Sequence, residues 1–210
     1  MRSYGQYCSV AKALDVIGDR WTLLIVRELL ARGPSRYTDL RHGLPGIATN
    51  LLAERLRELE AAGIVVREDA PPPIATALFS LTARGEQLRA VIEELGRWGV
   101  PLMLETTAQE EFRSHWLSLP VELFLADTSP DRLPTTIEVR TGEQPVLIEA
   151  RDGAISTRPG SSEHADAVLS GPPQLVLGLL SGALDADEAA AKGLSFDGAR
   201  EALQRLQPAQ

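Results

Sequence analysis

The chain has 210 residues, 44% hydrophobic and 24% charged, with a net charge of −8. That composition suits one large or two small folded domains and excludes disordered and fibrous classes. Apolar runs stop well short of the ~20 residues a membrane span needs. One cysteine, Cys8, forbids an internal disulfide, and the N-terminus has no apolar leader, so a reducing cytoplasm is expected.

The acidity is uneven. Residues 1–100 hold 13 Lys+Arg against 12 Asp+Glu (net +1), and residues 101–210 hold 8 against 17 (net −9), which together give −8. Attraction to nucleic acid depends on local charge, so the first half stays eligible for it. Every basic residue except Lys12 and Lys192 is arginine, the better bidentate reader of phosphate and guanine.

In chain order, residues about 9–17 read as a short helix ending at Gly18. Asp19 is placed to cap a second helix whose Trp21, Leu24, Ile25 and Leu29 form an apolar stripe, stopped by Gly33-Pro34. Ser35 is placed to cap a third helix carrying Tyr37, Leu40 and Leu44, and Pro45-Gly46 makes a tight turn. A fourth helix spans 48–62. Leu52, Leu56 and Leu59 recur on one side of it, and Asn50, Glu54, Arg57 and Ala61 on another. Past Gly63, "IVVRE" and "ALFSLT" read as two strands around a Pro-rich tip, "DAPPPIATA". A long helix follows from the cap Thr82, with Leu88, Val91, Ile92, Leu95 and Trp98 on its apolar side and a kink or split at Pro101.

Helix, helix, short Gly-containing turn, helix and hairpin make a winged helix-turn-helix, whose second helix enters the DNA major groove. The leucine side of 48–62 is then core, and its polar side is free to meet DNA.

The second half has an α+β pattern. "AQEEFRSHWLSLPVELFLADTSPDRLP" reads as helical with a break at proline. "TTIEVRTG" and "QPVLIEARDGAISTRPG" read as extended, with a hairpin at Asp152-Gly153. From Ala165 to Leu206 a strand, an apolar helix and an amphipathic helix succeed one another, and the final "QPAQ" reads as frayed.

The first half resembles the HxlR-type transcriptional regulators, relatives of the MarR group. The resemblance rests on Cys8, "IGDRWTLLIVREL" at 17–29, "RYTDLRHGLPGIATNLLAERLRELEAAGIV" at 36–65, "FSLTARGEQL" at 79–88 and Trp98-Gly99. It implies a homodimeric repressor or activator with helix 48–62 as recognition helix and 69–76 as wing. The N-terminal and long C-terminal helices would form the dimer interface. Departures are Ala48 where a Ser-like cap is usual, with Thr49 placed to replace it, Asn50 where Lys or Arg is common, and a wing tip short of basic residues. Residues 165–206 more weakly resemble a sterol-carrier-protein-like domain, which implies an apolar cavity over a sheet and a lipid or hydrophobic ligand. The expected domains are therefore 1–105 and 110–207.

The DNA-contact candidates are Arg36, Thr38 and Arg41 on the third helix and Thr49, Asn50, Arg55 and Arg57 on the recognition helix. Arg67 and Thr76 are the candidates on the wing. Acids at i+3 spacing make internal ion pairing a competing role for Arg55 and Arg57. Leu147, Ile155 and Val168, with Leu175, Val176, Leu179 and Leu180, are the candidates for lining a ligand cavity; their competing role is plain core. Cys8, one turn before Lys12, is a candidate redox sensor, against a small buried residue at the interface. His42, His115 and His164 lie far apart without metal spacing, and "SSEH" at 161–164 reads as a polar turn, so neither metal, cofactor nor enzymatic activity is expected. Expected partners are double-stranded DNA, a second copy of the chain and a small apolar effector, with no membrane. The rival is a carrier of apolar ligands whose winged helix contacts protein.

Overall fold

A computed structural model describes residues 3–72, 75–103 and 110–208. The chain forms two units, 1–107 and 108–210, with separate hydrophobic cores.

The first unit holds α1 (Ser9–Ile17), α2 (Thr22–Arg32), β1 (Ser35–Arg36), α3 (Tyr37–His42), α4 (Thr49–Ala61), β2 (Val65–Asp69), β3 (Ala77–Leu81), α5 (Ala83–Glu86) and α6 (Arg89–Met103). Leu52, Leu56 and Leu59 of α4 pack with Ile25, Val26 and Leu29 of α2 and Leu40 of α3. Four local expectations change. Asp19 does not cap α2: Trp21 takes the cap position with φ +80, and the Asp19 carboxylate binds Arg55 instead. Leu24 turns outward, and Val26 and Glu28 take its buried place. Ser35 pairs in β1 with Phe79 and gives its hydroxyl to the Gly33 carbonyl, leaving Arg36 to precede α3 with its N–H on Asp39. Thr82 caps only the single turn α5, accepting from the Gly85 N–H, and α6 starts anew at Arg89 with Pro101 inside it. The last residues of the expected long helix, 104–107, and the wing-tip residues 73–74 lie outside the described residues.

The second unit opens with a 3₁₀ turn (Ser114–Leu117) running into α7 (Ser118–Phe124), so Pro120 sits in a first helical turn, where its missing N–H costs nothing. Then come β4 (Leu125–Asp127), β5 (Thr135–Arg140), β6 (Val146–Arg151), β7 (Ala154–Pro159), β8 (Ala167–Ser170), α8 (Pro173–Leu180), α9 (Ala186–Ala191), β9 (Ser195–Gly198), α10 (Arg200–Arg205) and β10 (Leu206–Pro208). The hairpin at Asp152-Gly153 forms with both residues at positive φ, as a tight two-residue loop requires. The main sheet has the order β7-β6-β5-β8-β9. Only β5 and β8 run parallel, so the chain must cross the sheet between β7 and β8.

Strand alternation gives this sheet two faces. Ile137, Val139, Val146, Ile148 and Leu169 face the helices and share a core with Leu117, Val176 and Ala202. Glu138, Leu147 and Val168, adjacent in register, belong to the other face. There Glu138 is buried, accepting from the Ser162 N–H at 2.9 Å and from Arg140 Nε at 2.7 Å.

The expected frayed end is partly a strand. Leu206–Pro208 pairs with β4, and only residues 209–210 fall outside the described ones. Arg205 locks this small sheet in place. Its Nε and Nη2 donate to the two oxygens of Asp127 at 2.8 and 2.9 Å, and Nη1 donates to the Leu133 carbonyl and the Thr135 hydroxyl. Both charges are buried. The Arg205 hydrogen bonds pull the Asp127 carboxyl from 3.8 down to about 2.

Candidate nucleic-acid interface

The helix-turn-helix is α3, the turn through Gly46 and α4. Gly46 takes φ +82, a conformation that costs glycine little, and it brings Thr49 within 2.6 Å of the Tyr37 hydroxyl, which donates to the Thr49 carbonyl. That bond ties the first residue of the recognition helix to the helix before it. Ala48 precedes α4 without a side-chain cap, so Thr49 starts the helix but does not replace a capping serine.

With three leucines of α4 buried, Thr49, Asn50, Glu54 and Arg57 are left exposed on its other side. The Arg57 Nε makes only a 3.2 Å hydrogen bond to the Ala53 carbonyl one turn back. Arg36, Thr38 and Arg41 are exposed on the α3 side and Arg67 on β2, with Thr76 half-buried beside it. Among the described residues none of Arg36, Arg41, Arg57 and Arg67 forms an ion pair. Arg55 differs. It is largely buried, donates to Asp19 at 2.7 Å and to Glu58, and braces α4 against the loop before α2. Its internal role is one the i+3 spacing to Glu58 had signalled; Asp19, 36 residues away, could not be read from spacing.

The scaffold beneath contains a feature that sequence reading missed. Glu28 is fully buried, with Arg27 Nη2 at 2.7 Å and Arg32 Nε at 3.4 Å. Arg27 Nη2 also donates to the Gly43 carbonyl at 3.2 Å. Burial lowers the Arg27 pKa, while Glu28 opposes the change. This cluster joins α2 to the end of α3. Alternating charges on one helix were its only sequence signal.

Cys8 is exposed at the start of α1. The Lys12 ammonium, expected to act on it, lies 3.7 Å from Asp15. The candidate cavity residues do not share one space. Ile155, Leu175, Val176, Leu179 and Leu180 join the helix-facing core, whereas Leu147 and Val168 sit on the opposite face of the sheet. The "SSEH" segment is a turn in which the His164 N–H donates to the Ser162 hydroxyl. Among the described residues, no group of His, Cys, Asp and Glu could hold a metal ion, and no helix is long and apolar enough to cross a membrane.

An exposed polar recognition helix on an apolar scaffold, with unpaired arginines beside it and a β-hairpin behind it, defines a DNA-binding protein of the helix-turn-helix class. The family of HxlR-like helix-turn-helix proteins matches residues 16–106. YvaP of Bacillus subtilis (strain 168), a helix-turn-helix transcriptional regulator, is 37% identical over 87 residues, which are 41% of this chain and 80% of that protein. YodB, another such regulator of the same organism, is 37% identical over 86 residues, 41% of this chain and 76% of its own length. The crystal structure of diamide-treated YodB is 34% identical and covers 46% of this chain and 95% of that one, with a TM-score of 0.39. The chain belongs to the HxlR family of transcriptional regulators; its second unit lies beyond the family match.

Proposed function

We propose that the protein is a cytoplasmic homodimer that binds a pseudo-palindromic operator and regulates transcription from it. The observation that carries the reading is the exposed face of α4, where Asn50 and Arg57 stand clear of the core on a helix fixed at Thr49 and Arg55. Asn50 has the donor and acceptor pair that matches adenine, and Arg57 the fork that matches guanine. Arg36, Thr38, Arg41, Arg67 and Thr76 are the backbone contacts. Arg55 serves as the brace. A second copy provides the two-fold symmetry that spaces two recognition helices one helical turn of DNA, or a multiple, apart.

The second unit is proposed as a sterol-carrier-like module. A five-stranded sheet with helices on one face, and the apolar α8 among them, supports that reading. Any apolar effector belongs on the helix-facing side, beside Val176 and Leu180, and acts only by binding the DNA-competent and DNA-free states unequally.

The deciding experiment incubates the purified protein with sheared genomic DNA of its source at about physiological salt and sequences what stays bound. Enriched sites sharing an inverted repeat are expected. A folded protein that enriches nothing, with or without long-chain fatty acids and sterols, overturns the operator reading and favours a carrier whose winged helix contacts protein. On an enriched site, Asn50→Ala and Arg57→Ala are expected to weaken binding about 10-fold or more, and to weaken random duplex far less.

A further inference from the structure

Helix α4 is anchored unevenly along its length. On the core side Ile47, Leu52, Leu56 and Leu59 are buried together, and Arg55 ties the middle of the helix to Asp19 at 2.7 Å. The first turn has less. Ala48 supplies no side-chain cap, Ala48, Thr49 and Asn50 are exposed, and a first turn without a cap frays. Among the described residues one side-chain hydrogen bond reaches 48–51: the Tyr37 hydroxyl donates to the Thr49 carbonyl at 2.6 Å. Within the helix that carbonyl also serves the Ala53 N–H, so the tyrosine grips an opening rung of the α4 ladder.

The donor is itself held. Tyr37 opens α3 and packs half-buried against the first core. Just before it, the Arg36 N–H donates to Asp39 at 3.1 Å, and Arg36 pairs through β1 with Leu78 of the hairpin. The hydroxyl therefore joins a corner where strand, helix and core meet to the turn of α4 that core packing holds least.

We infer that Tyr37 is a positioning residue for base recognition. Its hydroxyl fixes the first turn of α4 and so sets where Asn50 meets the bases. Arg57 stands about 10 Å further along the helix axis, beside the Arg55 brace, and does not depend on it. This role rests on the operator reading above and deepens it. A bidentate pair of asparagine with adenine needs placement to about 0.5 Å. A frayed first turn loses that placement but removes no charge, so contacts to the phosphates persist.

The first test needs no DNA. Amide hydrogen exchange of the full chain is compared between wild type and Tyr37→Phe, which keeps the ring and removes the oxygen. The Ala53 amide is expected to exchange about 5-fold faster in the variant, while the Ala62 amide, bonded to the Glu58 carbonyl at the other end of α4, stays unchanged. Equal protection of Ala53 in both proteins overturns the anchoring.

The second test uses fluorescence anisotropy on two labelled duplexes, one carrying the inverted repeat recovered by genomic selection and one scrambled to the same length and composition. Tyr37→Phe is expected to weaken the recovered site about 5-fold and the scrambled duplex less than about 2-fold, with the same salt slope on both as wild type. Combined with Asn50→Ala it should weaken the recovered site by less than about 2-fold more. Combined with Arg57→Ala it should again cost about 5-fold. An equal loss on both duplexes, or a full further loss in the Asn50→Ala background, overturns the positioning role while DNA binding stands. A lowered thermal transition in Tyr37→Phe would make the residue a part of the core and overturn it too. If selection recovers no shared site, the operator reading and this role for Tyr37 fall together, whatever Ala53 shows.

Discussion

Gly43 stands after a short helix, where a glycine normally means only that the helix has stopped. Its φ of −74 is open to any residue; what it supplies is space. A Cβ there would lie 1.7 Å from Glu28 Oε2 and 2.5 Å from Cδ, and Glu28 is fully buried between Arg27 and Arg32. Gly43→Ala must therefore push a buried carboxylate off its partners, and urea unfolding is expected to show a loss of about 1–3 kcal/mol. Asp127 is the matching residue of the second unit. Its carboxyl is held at about 2, below its ordinary 3.8, because the ionised form accepts two hydrogen bonds from Arg205. A depressed folded value means that the stabilisation is present above the unfolded pKa and is lost as pH falls through the folded one. The second unit is thus expected to weaken between about pH 4 and pH 2. Asp127→Asn should cost about 3–5 kcal/mol at neutral pH, since it leaves Arg205 buried without a counter-charge, and should flatten that acid limb. Neither residue announced itself in the sequence: Glu28 and Gly43 are 15 positions apart and Asp127 and Arg205 are 78, so only the fold brings them together.

At the scale of elements, what could be read from the chain was what repeats locally. The leucine period of α4, the hairpin at Asp152-Gly153 and the strands β5 and β6 all formed where periodicity and turn chemistry placed them. What could not be read was competition between neighbours. Asp19 is a good capping residue but binds Arg55 instead, and Ser35 is another but joins a strand because Phe79 lies beside it. The apolar side of α6 is the instructive case. Leu88 and Ile92 pack on the first core, yet no residue of α6 is buried, and Val91, Leu95 and Leu102 are each more than a third exposed and Trp98 is 73% exposed. On α1, Val10 and Leu14 are exposed in the same way. Two helices that together leave these six large apolar side chains on solvent need a second surface to cover them. We expect Trp98→Glu to shift the protein from dimer to monomer in sedimentation experiments and to weaken operator binding by at least 10-fold, because one copy then engages one half-site. A dimer that survives Trp98→Glu with Leu95→Glu would place the interface elsewhere.

The whole molecule joins a unit that matches a known family to one that lies beyond that match, and the charge of the two halves differs sharply. The first 100 residues are nearly neutral by count, but their cation surplus is local, since several arginines on the α3, α4 and wing side stand without acids while others are consumed in Glu28 and Arg55 networks. The remaining 110 carry the net −9, a balance that disfavours duplex contact there and favours it on the first unit. Because each unit has its own core, a perturbation in one core should be read in one transition. Differential scanning calorimetry at pH 7 is therefore expected to resolve two components. Gly43→Ala should lower one and Asp127→Asn the other. Saturating operator duplex should raise only the component that Gly43→Ala lowers, by RT ln(1 + [L]/Kd), about 2.7 kcal/mol at a hundredfold excess over Kd. An apolar effector that truly regulates has a different signature: it raises the component that Asp127→Asn lowers and, by linkage, changes the duplex affinity by the same factor as duplex changes its own. A compound that raises the second component yet leaves duplex affinity untouched is a passenger of the fold and not its signal.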